Sequence, residues 1–276
     1  MPSSPLDTTI AFIGGGNMAG AILGGLLRQG LPADRVLVVE PFAETREKLA
    51  ATHGVTVLEQ AGPALGQAGL VVWAVKPQAF QEAAAPVRPH AAQALHLSVA
   101  AGIPSDSIAR WLGTERIVRA MPNTPALVGQ GMTGLFARAA VGTEDRQRVE
   151  QALASTGELA WVAQESQLDA VTALSGSGPA YVFYFLEAMV QAGTAMGLPP
   201  EQARRLAVGT FTGAAELARR SDEPLATLRQ RVTSKGGTTY AAITAMEKDQ
   251  VGEAFVRAMQ AAEQRARELG EEFGRG

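Results

Sequence analysis

Residues 10–20 read IAFIGGGNMAG, and the fold is decided by how that stretch is built. A short apolar run, Ile10-Ala11-Phe12-Ile13, leads straight into Gly14-x-Gly16-x-x-Ala19, and a helical pattern, AILGGLL, starts at Ala21. A strand, a tight turn and a helix start in direct succession are the parts of a dinucleotide-binding βα unit. Gly14 makes the turn, Gly16 lets the backbone approach a pyrophosphate, and Ala19, in place of a third glycine, allows close helix–strand packing. The helix N-terminus offers free N–H groups and partial positive charge to an anion. A lone G-x-G-x-x-A is also compatible with an ordinary glycine-rich turn. The strand before it and the helix after it are what point to a nucleotide.

Beyond this unit the same grammar repeats. Apolar runs at 36–39, 55–58, 70–75, 95–100 and 117–121 alternate with helical stretches at 18–28, 43–52, 60–66, 78–87 and 106–112. Runs that are apolar throughout suit a parallel sheet covered on both faces. Repeated βα units predict an α/β Rossmann-type doubly wound sheet. A further helix and a short strand, LAWV at 159–162, follow within 143–163. After Gln164 no strand is expected, and alanine-rich helical periodicity runs to the end. The reading is a dinucleotide-binding domain over 1–163 and an all-helical domain over 164–276.

In the second part, SGSGP at 175–179 reads as a glycine break, with Ser177 as N-cap and Pro179 in the first turn. The helix expected at 180–196, AYVFYFLEAMVQAGTAM, is apolar around nearly its whole circumference. Such a helix is buried on all sides, and a small helical domain cannot bury it alone, so a second copy of the chain is expected to cover it. Further helices are expected at 201–219, 225–231 and 240–246.

Composition narrows the function. With 46% hydrophobic and 18% charged residues in 276, a sizeable core is available and disorder is excluded. A net charge of −3 without a basic block argues against nucleic acid as a partner. The absence of cysteine removes disulfides, thiolate catalysis and cysteine-bound metals. The histidines, His53, His90 and His96, are too scattered for a metal motif. No apolar run reaches the ~20 residues of a membrane span, and MPSSPLD at the start lacks a basic and apolar signal region. A soluble, cytoplasmic protein is expected, with no membrane partner.

Several stretches carry candidate chemistry. Glu40 follows VLVV at the end of the second strand, where an acid can bind the adenosine ribose hydroxyls and favour NADH. Pro41 follows it directly and Arg46 lies near enough to receive a phosphate, so NADH and NADPH both stay open, as does a merely solvated glutamate. In LVVWAVKP at 70–77, the residues Ala74, Val75, Lys76 and Pro77 fall at the carboxyl end of a strand, where open α/β sheets bind ligands. Lys76 has a plain solvated lysine as its alternative. LSVAAG at 97–102 ends a strand in small residues, leaving room for a nicotinamide ring. RAMPNTP at 119–125 is either a rigid loop at the cleft rim or a structural turn. VTSKGGTTY at 232–240 joins two helices. Its glycines and its Thr233, Ser234, Thr238 and Thr239 hydroxyls make an anion-receptive helix start suited to a carboxylate. The bland reading is a connection with Thr238 or Thr239 as N-cap.

Which acceptor suits these residues? Reducing a ketone creates an alkoxide and needs a positioned acid. A protonated imine accepts hydride and becomes a neutral amine, leaving no oxyanion. Hydroxyls and backbone N–H groups with no obvious strong acid therefore fit C=N better than C=O, although Lys76, Lys235 or Tyr240 could still serve as an acid.

The motifs FIGGGNMAGAI, WAVKPQ, SVAAGI, RAMPNTPALVGQGMTGL, ALSGSGPAYVFYFLEAM and VTSKGGTTYAAI together resemble pyrroline-5-carboxylate reductase, the last enzyme of proline synthesis. The resemblance implies a Rossmann domain, an all-helical dimerisation domain and NADPH- or NADH-dependent reduction of 1-pyrroline-5-carboxylate to L-proline. It also implies an active site between the cofactor face and the helical domain, and dimers that often assemble into rings such as decamers. It makes Ile13, Gly14, Gly15, Gly16, Asn17 and Met18, Ala74 to Pro77, and Val99, Ala100, Ala101 and Gly102 the cofactor contacts. Ser234, Gly236, Gly237, Thr238 and Thr239 would hold substrate, with Thr239 near the ring nitrogen. Thr239 and Lys76 are the catalytic candidates. One departure stands out: many family members carry small or amide residues, sometimes followed by arginine, where this chain has Glu40-Pro41. Two rivals remain. A β-hydroxyacid dehydrogenase would need a lysine on the first helices of the second domain, but Lys235 and Lys248 are the only lysines beyond 164. A non-catalytic nucleotide sensor gives no reason for the hydroxyl-rich loop.

Overall fold

The computed structural model describes residues 8–274. The segment MPSSPLD, read above as lacking a signal region, lies outside the described residues. The chain divides into two compact units. One runs to Ser177 and takes in the residues from Ala262 on; the other is Gly178–Ala261. Composition shifts at 164, just after the last strand, whereas the packing divides after Ser177 and returns the C-terminal residues to the first unit.

The first unit is a sheet with helices on both faces. Its elements begin with β1 (Thr9–Ile13), α1 (Asn17–Arg28), β2 (Val36–Val39), α2 (Ala43–His53), β3 (Thr56–Leu58) and β4 (Ala68–Trp73). They continue with α3 (Phe80–Ala91), β5 (Leu95–Ser98), α4 (Ser105–Leu112) and β6 (Ile117–Met121). β7 (Gly131–Ala137), α5 (Thr143–Leu153), β8 (Gly157–Trp161) and α6 (Gln167–Val171) complete it. The strand order is β3-β2-β1-β4-β5-β6-β7-β8. Every pairing is parallel except β6 with β7.

Alternation along β1 shows why the runs are apolar throughout. Ile10 and Phe12 enter one core with Ile22, Leu23 and Leu26 of α1, while Ala11 and Ile13 enter the opposite core with Trp73, Phe80 and Ile108. Each large side chain so buried contributes roughly 1.5–3 kcal/mol, and a strand with two buried faces favours apolar residues at most of its positions.

Two expectations need correction here. The stretch expected as a helix at 60–66 is a short 3-10 turn, Pro63–Gln67, with proline in its first position. β7 was not anticipated at all, because GMTGLFA carries two glycines that read as breakers. Gly134 is needed there: a Cβ on it would lie 2.6 Å from Cγ1 of Val171 in α6, so the glycine allows a close approach that a side chain would block.

The second unit holds α7 (Gly178–Ala195), α8 (Pro200–Arg219), α9 (Leu225–Arg231), α10 (Thr238–Lys248) and α11 (Val251–Gly274) as far as Ala261. The expected glycine break before α7 is instead a π-turn, Thr172–Gly176, and Ser177 has helical backbone angles, so it is not an N-cap. Tyr181 and Phe185 meet the ring of Phe255 edge-on, at 5.4 and 5.6 Å between centroids. Few apolar residues of this unit are buried; Ala203 and Ala207 are.

β5 carries a buried imidazole. His96 Nδ1 accepts from Trp73 Nε1 at 3.0 Å, and its Nε2 donates to the Ala91 carbonyl at 3.1 Å. Burial, helped by the charge of Arg116, lowers its pKa to about 4 against the opposing hydrogen bond to Ala91. The unfolded imidazole titrates at its ordinary value of 6.5. Stability from this group is therefore complete above pH 6.5 and is lost as pH falls toward 4, by about 3 kcal/mol in all. Urea midpoints at pH 7, 6 and 5 should fall accordingly, and His96→Gln should flatten that slope; an equal slope in the variant would refute the assignment.

Candidate active site

The carboxyl ends of β2, β1, β4 and β5 lie side by side, and a continuous series of bonds ties their exit loops together. Gly15 N–H donates to Glu40 Oε2 at 2.8 Å, and Gly14 N–H to the Val39 carbonyl at 2.8 Å. Ala74 N–H donates to the Ile13 carbonyl at 2.8 Å, and Val99 N–H to the Trp73 carbonyl at 3.0 Å. β1 sits where the strand order reverses, with β2 on one side and β4 on the other. This is the place where an open α/β sheet binds its ligand.

Gly14 has φ +92°, and a Cβ there would lie 2.7 Å from the Ala74 carbonyl oxygen. Any other residue would force the two strand ends apart. Gly14 and Gly15 are buried, whereas Gly16 and Asn17 face solvent and Met18 is half-buried. Gly16 is the N-cap of α1, in an extended conformation with no side-chain cap and no acid in the first turn. Nothing lies within 4 Å of where its Cβ would stand. An uncapped helix start, with its first N–H groups unpaired and open space above the glycine, fits a diphosphate. A cavity of about 420 Å³ adjoins Gly15, Gly16 and Asn17, and Arg28 and Lys48 also line it.

Glu40 is not the solvated strand-end acid of the bland reading. It is 6% exposed. Besides the bond from Gly15, its Oε1 accepts from Phe42 N–H at 2.9 Å. Arg46 is not free to await a phosphate either: its Nη1 donates to the carbonyls of Glu40 and Pro41 at 3.0 and 2.7 Å.

Past β4, Ala74, Val75 and Pro77 are half-buried while Lys76 is exposed. Lys76 caps a short 3-10 turn that starts with Pro77, and its backbone is extended. Past β5, Ala100 is buried and its N–H donates to Ser98 Oγ at 3.3 Å. Val99 and Ala101 are half-buried, and Gly102 lies against Leu269 and Phe273 of α11.

The first unit also holds a polar group that sequence reasoning passed over. Glu165 accepts from the N–H and hydroxyl of Ser105 at 2.6 and 2.5 Å and from Arg119 Nη1 at 2.6 Å. The only hint was a lone arginine inside the apolar strand IVRAM. Asn123 pins the RAMPNTP segment, donating to the Ser175 carbonyl at 3.1 Å and accepting from Met132 N–H at 2.9 Å. That segment is thus a braced turn.

In the second unit, the loop before α10 is the other open helix start. The N-cap of α10 is Gly237, extended and without a side-chain cap, so Thr238 and Thr239 are its first two helical residues and neither is the expected N-cap. Thr233 spends its hydroxyl on the Arg229 carbonyl at 2.7 Å. The hydroxyls of Ser234, Thr238 and Thr239 make no bond among the described residues. Gly236 turns the chain with φ +76°, and Gly237 N–H donates to the Ser234 carbonyl at 3.0 Å. Ser234, Gly236 and Thr238 are exposed, and Gly237 and Thr239 are half-buried. A short helix-start concavity with spare N–H groups and three unused hydroxyls suits a small carboxylate.

Known proteins place these two features in one lineage. A family model described as pyrroline-5-carboxylate reductase dimerisation matches residues 165–269, and one described as NADP oxidoreductase, coenzyme F420-dependent, matches 9–102. The pyrroline-5-carboxylate reductase of Pseudomonas aeruginosa is 45% identical over 96% of this chain and 98% of its own. That of Pisum sativum is 38% identical, over 95% of this chain and 96% of its own. The solved structure of the Coxiella burnetii enzyme superposes with a TM-score of 0.89 at 38% identity, over 95% of this chain and 98% of that one. The Plasmodium falciparum enzyme, solved with NADP bound, gives 0.86 at 26% identity, over 97% of this chain and 100% of that one. With its doubly wound sheet, its open glycine turn and its helical C-terminal region, the chain belongs to the pyrroline-5-carboxylate reductase family.

Proposed function

We propose that the chain reduces the carbon–nitrogen double bond of 1-pyrroline-5-carboxylate with NADH or NADPH and releases L-proline, completing proline synthesis. The observation that carries the substrate assignment is the start of α10. Its first N–H groups are uncapped and the hydroxyls of Ser234, Thr238 and Thr239 are unspent, which leaves donors for both oxygens of a carboxylate.

The dinucleotide supplies hydride when bound. Gly16, Asn17 and Met18 would hold its diphosphate through backbone N–H groups, while Gly14 and Gly15, whose N–H groups are committed to Val39 and Glu40, shape the turn beneath it. Ala74 to Pro77 and Val99 to Ala101 line the ends of β4 and β5, where small and half-buried residues leave room for a flat ring. Around the substrate, Gly236 and Gly237 let the backbone come close, and the α10 donors fix the carboxylate and so the orientation of the ring. Hydride addition to a protonated imine leaves a neutral amine, so Thr239 need only orient the ring nitrogen and exchange its proton with solvent. Lys76 carries an exposed ammonium at the end of β4 and serves cofactor or proton delivery from there.

The second unit supports a self-associating chain. Val182, Phe183, Tyr184 and Met189 of α7 are 39%, 58%, 70% and 39% exposed, and Leu206, Val208 and Leu217 of α8 are exposed as well. An apolar surface of this kind marks a protein interface, and the family model matching this region is one of dimerisation. Larger rings of dimers, and a cytoplasmic location for a chain in which no described helix is long and apolar enough to cross a membrane, complete the reading.

Purified protein should oxidise NADH or NADPH in the presence of pyrroline-5-carboxylate between pH 6 and 9. Thr239→Ala should lower kcat about tenfold to a hundredfold, the worth of one lost hydrogen bond to a polar ring atom. Its thermal midpoint should not move, while Thr233→Ala, whose hydroxyl is committed to a carbonyl, should turn over normally. Unchanged kinetics in Thr239→Ala would remove its role. Light scattering at micromolar concentration should give a dimer or a multiple of one; a stable monomer would contradict the covering of α7.

A further inference from the structure

We infer that Glu40 makes the cofactor site selective for NADH over NADPH, through a carboxylate that the fold does not let move. This deepens the dinucleotide assignment above and rests on it. The Glu40 side chain is buried and fixed at both ends of its carboxylate. Oε2 accepts from Gly15 N–H at 2.8 Å, inside the glycine turn, and Oε1 accepts from Phe42 N–H at 2.9 Å, in the turn leading to α2. A carboxylate has about four lone-pair sites, so two remain for the hydroxyls of an adenosine ribose. A 2′-phosphate at the same place would meet a negative charge.

An acid on a loose loop could swing aside for the phosphate. This one cannot do so without leaving the N–H of buried Gly15 without an acceptor, a costly loss. Arg46 holds the turn from outside, with its Nη1 on the carbonyls of Glu40 and Pro41 and its Nη2 3.6 Å from Glu59. Its charge is thereby spent on the backbone and on another acid. The first turn of α2 adds a further acid, Glu44. Lys48, a turn further along α2, lines the cavity beside Gly15, Gly16 and Asn17. Phe42, whose backbone N–H holds Oε1, is 71% exposed and would offer an aromatic face to the adenine. Turn, strand end and helix start thus agree: two hydroxyls are accommodated and a phosphate dianion is repelled.

The test separates binding from turnover. Calorimetry on the full-length protein should show ADP-ribose binding at least about thirtyfold more tightly than 2′-phospho-ADP-ribose, the scale of a like-charge contact at a partly screened site. The kcat/KM ratio for NADH over NADPH should lean the same way. Glu40→Ser should bring the two ligands within about threefold of each other. Equal or tighter binding of the 2′-phosphorylated ligand, no binding of ADP-ribose at millimolar concentration, or an unchanged ratio in a folded Glu40→Ser would overturn the inference. Should Glu40→Ser fail to fold, the wild-type comparison of the two ligands decides alone. Selective ADP-ribose binding without reduction of pyrroline-5-carboxylate would uphold this inference and defeat the reductase reading; efficient turnover with NADPH would do the reverse.

Discussion

A carbonyl oxygen 2.7 Å from where a Cβ of Gly14 would stand is the constraint on which the first unit depends. It exists because β1 and β4 are neighbours whose ends are tied by the bond from Ala74 N–H to the Ile13 carbonyl. Only a residue without a side chain can turn at φ +92° in that gap. The turn then sends Gly16 outward as an uncapped start for α1, and sends the Gly15 N–H sideways to Glu40. The open helix start and the fixed carboxylate of Glu40 are therefore consequences of one backbone path. A residue larger than glycine at 14 would disturb both together.

The second unit is under the opposite constraint. Its helices have almost no interior of their own, since Ala203 and Ala207 are among the few apolar residues in it that are buried. Hydrophobic burial is the main favourable term in folding, and this unit leaves much of its apolar surface on α7 and α8 uncovered. Its stability must come from association, so the α10 start proposed to hold substrate is only as rigid as the assembly around it. Binding and assembly are linked there by mass action.

How much of this could be read from the residues? The two-faced burial of β1, β2, β4 and β5 was legible because continuous apolar runs have one common cause. So was the open N-terminus of α1, since its parts are local in sequence. β7 was not legible: its glycines look like breakers until Val171, far along the chain, comes within reach of Gly134. The alternative reading of the α10 start fails for a related reason. Threonines before a helix usually cap it, but here Gly237 takes that place and Thr238 and Thr239 fall inside the helix. Glu40 was recognised by its position, yet its bonds to Gly15 and Phe42, which turn an ambiguous acid into a fixed one, depend on tertiary geometry. The Arg119–Glu165 pair, 46 residues apart, left no sequence pattern beyond one arginine in an apolar strand.

The chemistry asks little of ionisable side chains. Reduction of an imine that is already protonated leaves no charge for an acid to quench, so the residues are asked mainly to bind anions and to orient. Backbone N–H groups can do both without ionising, and both helix starts present them: α1 opens at Gly16 and α10 at Gly237, each glycine extended and without a side-chain cap. A threonine or serine in either place would occupy with its own oxygen the N–H groups the ligand needs. Glycine at an N-cap is a weaker helix start than serine by a few tenths of a kcal/mol. That small loss of stability leaves the first N–H groups of both helices open for the proposed anions, and it gives a reason for glycines at positions where capping alone would favour a hydroxyl.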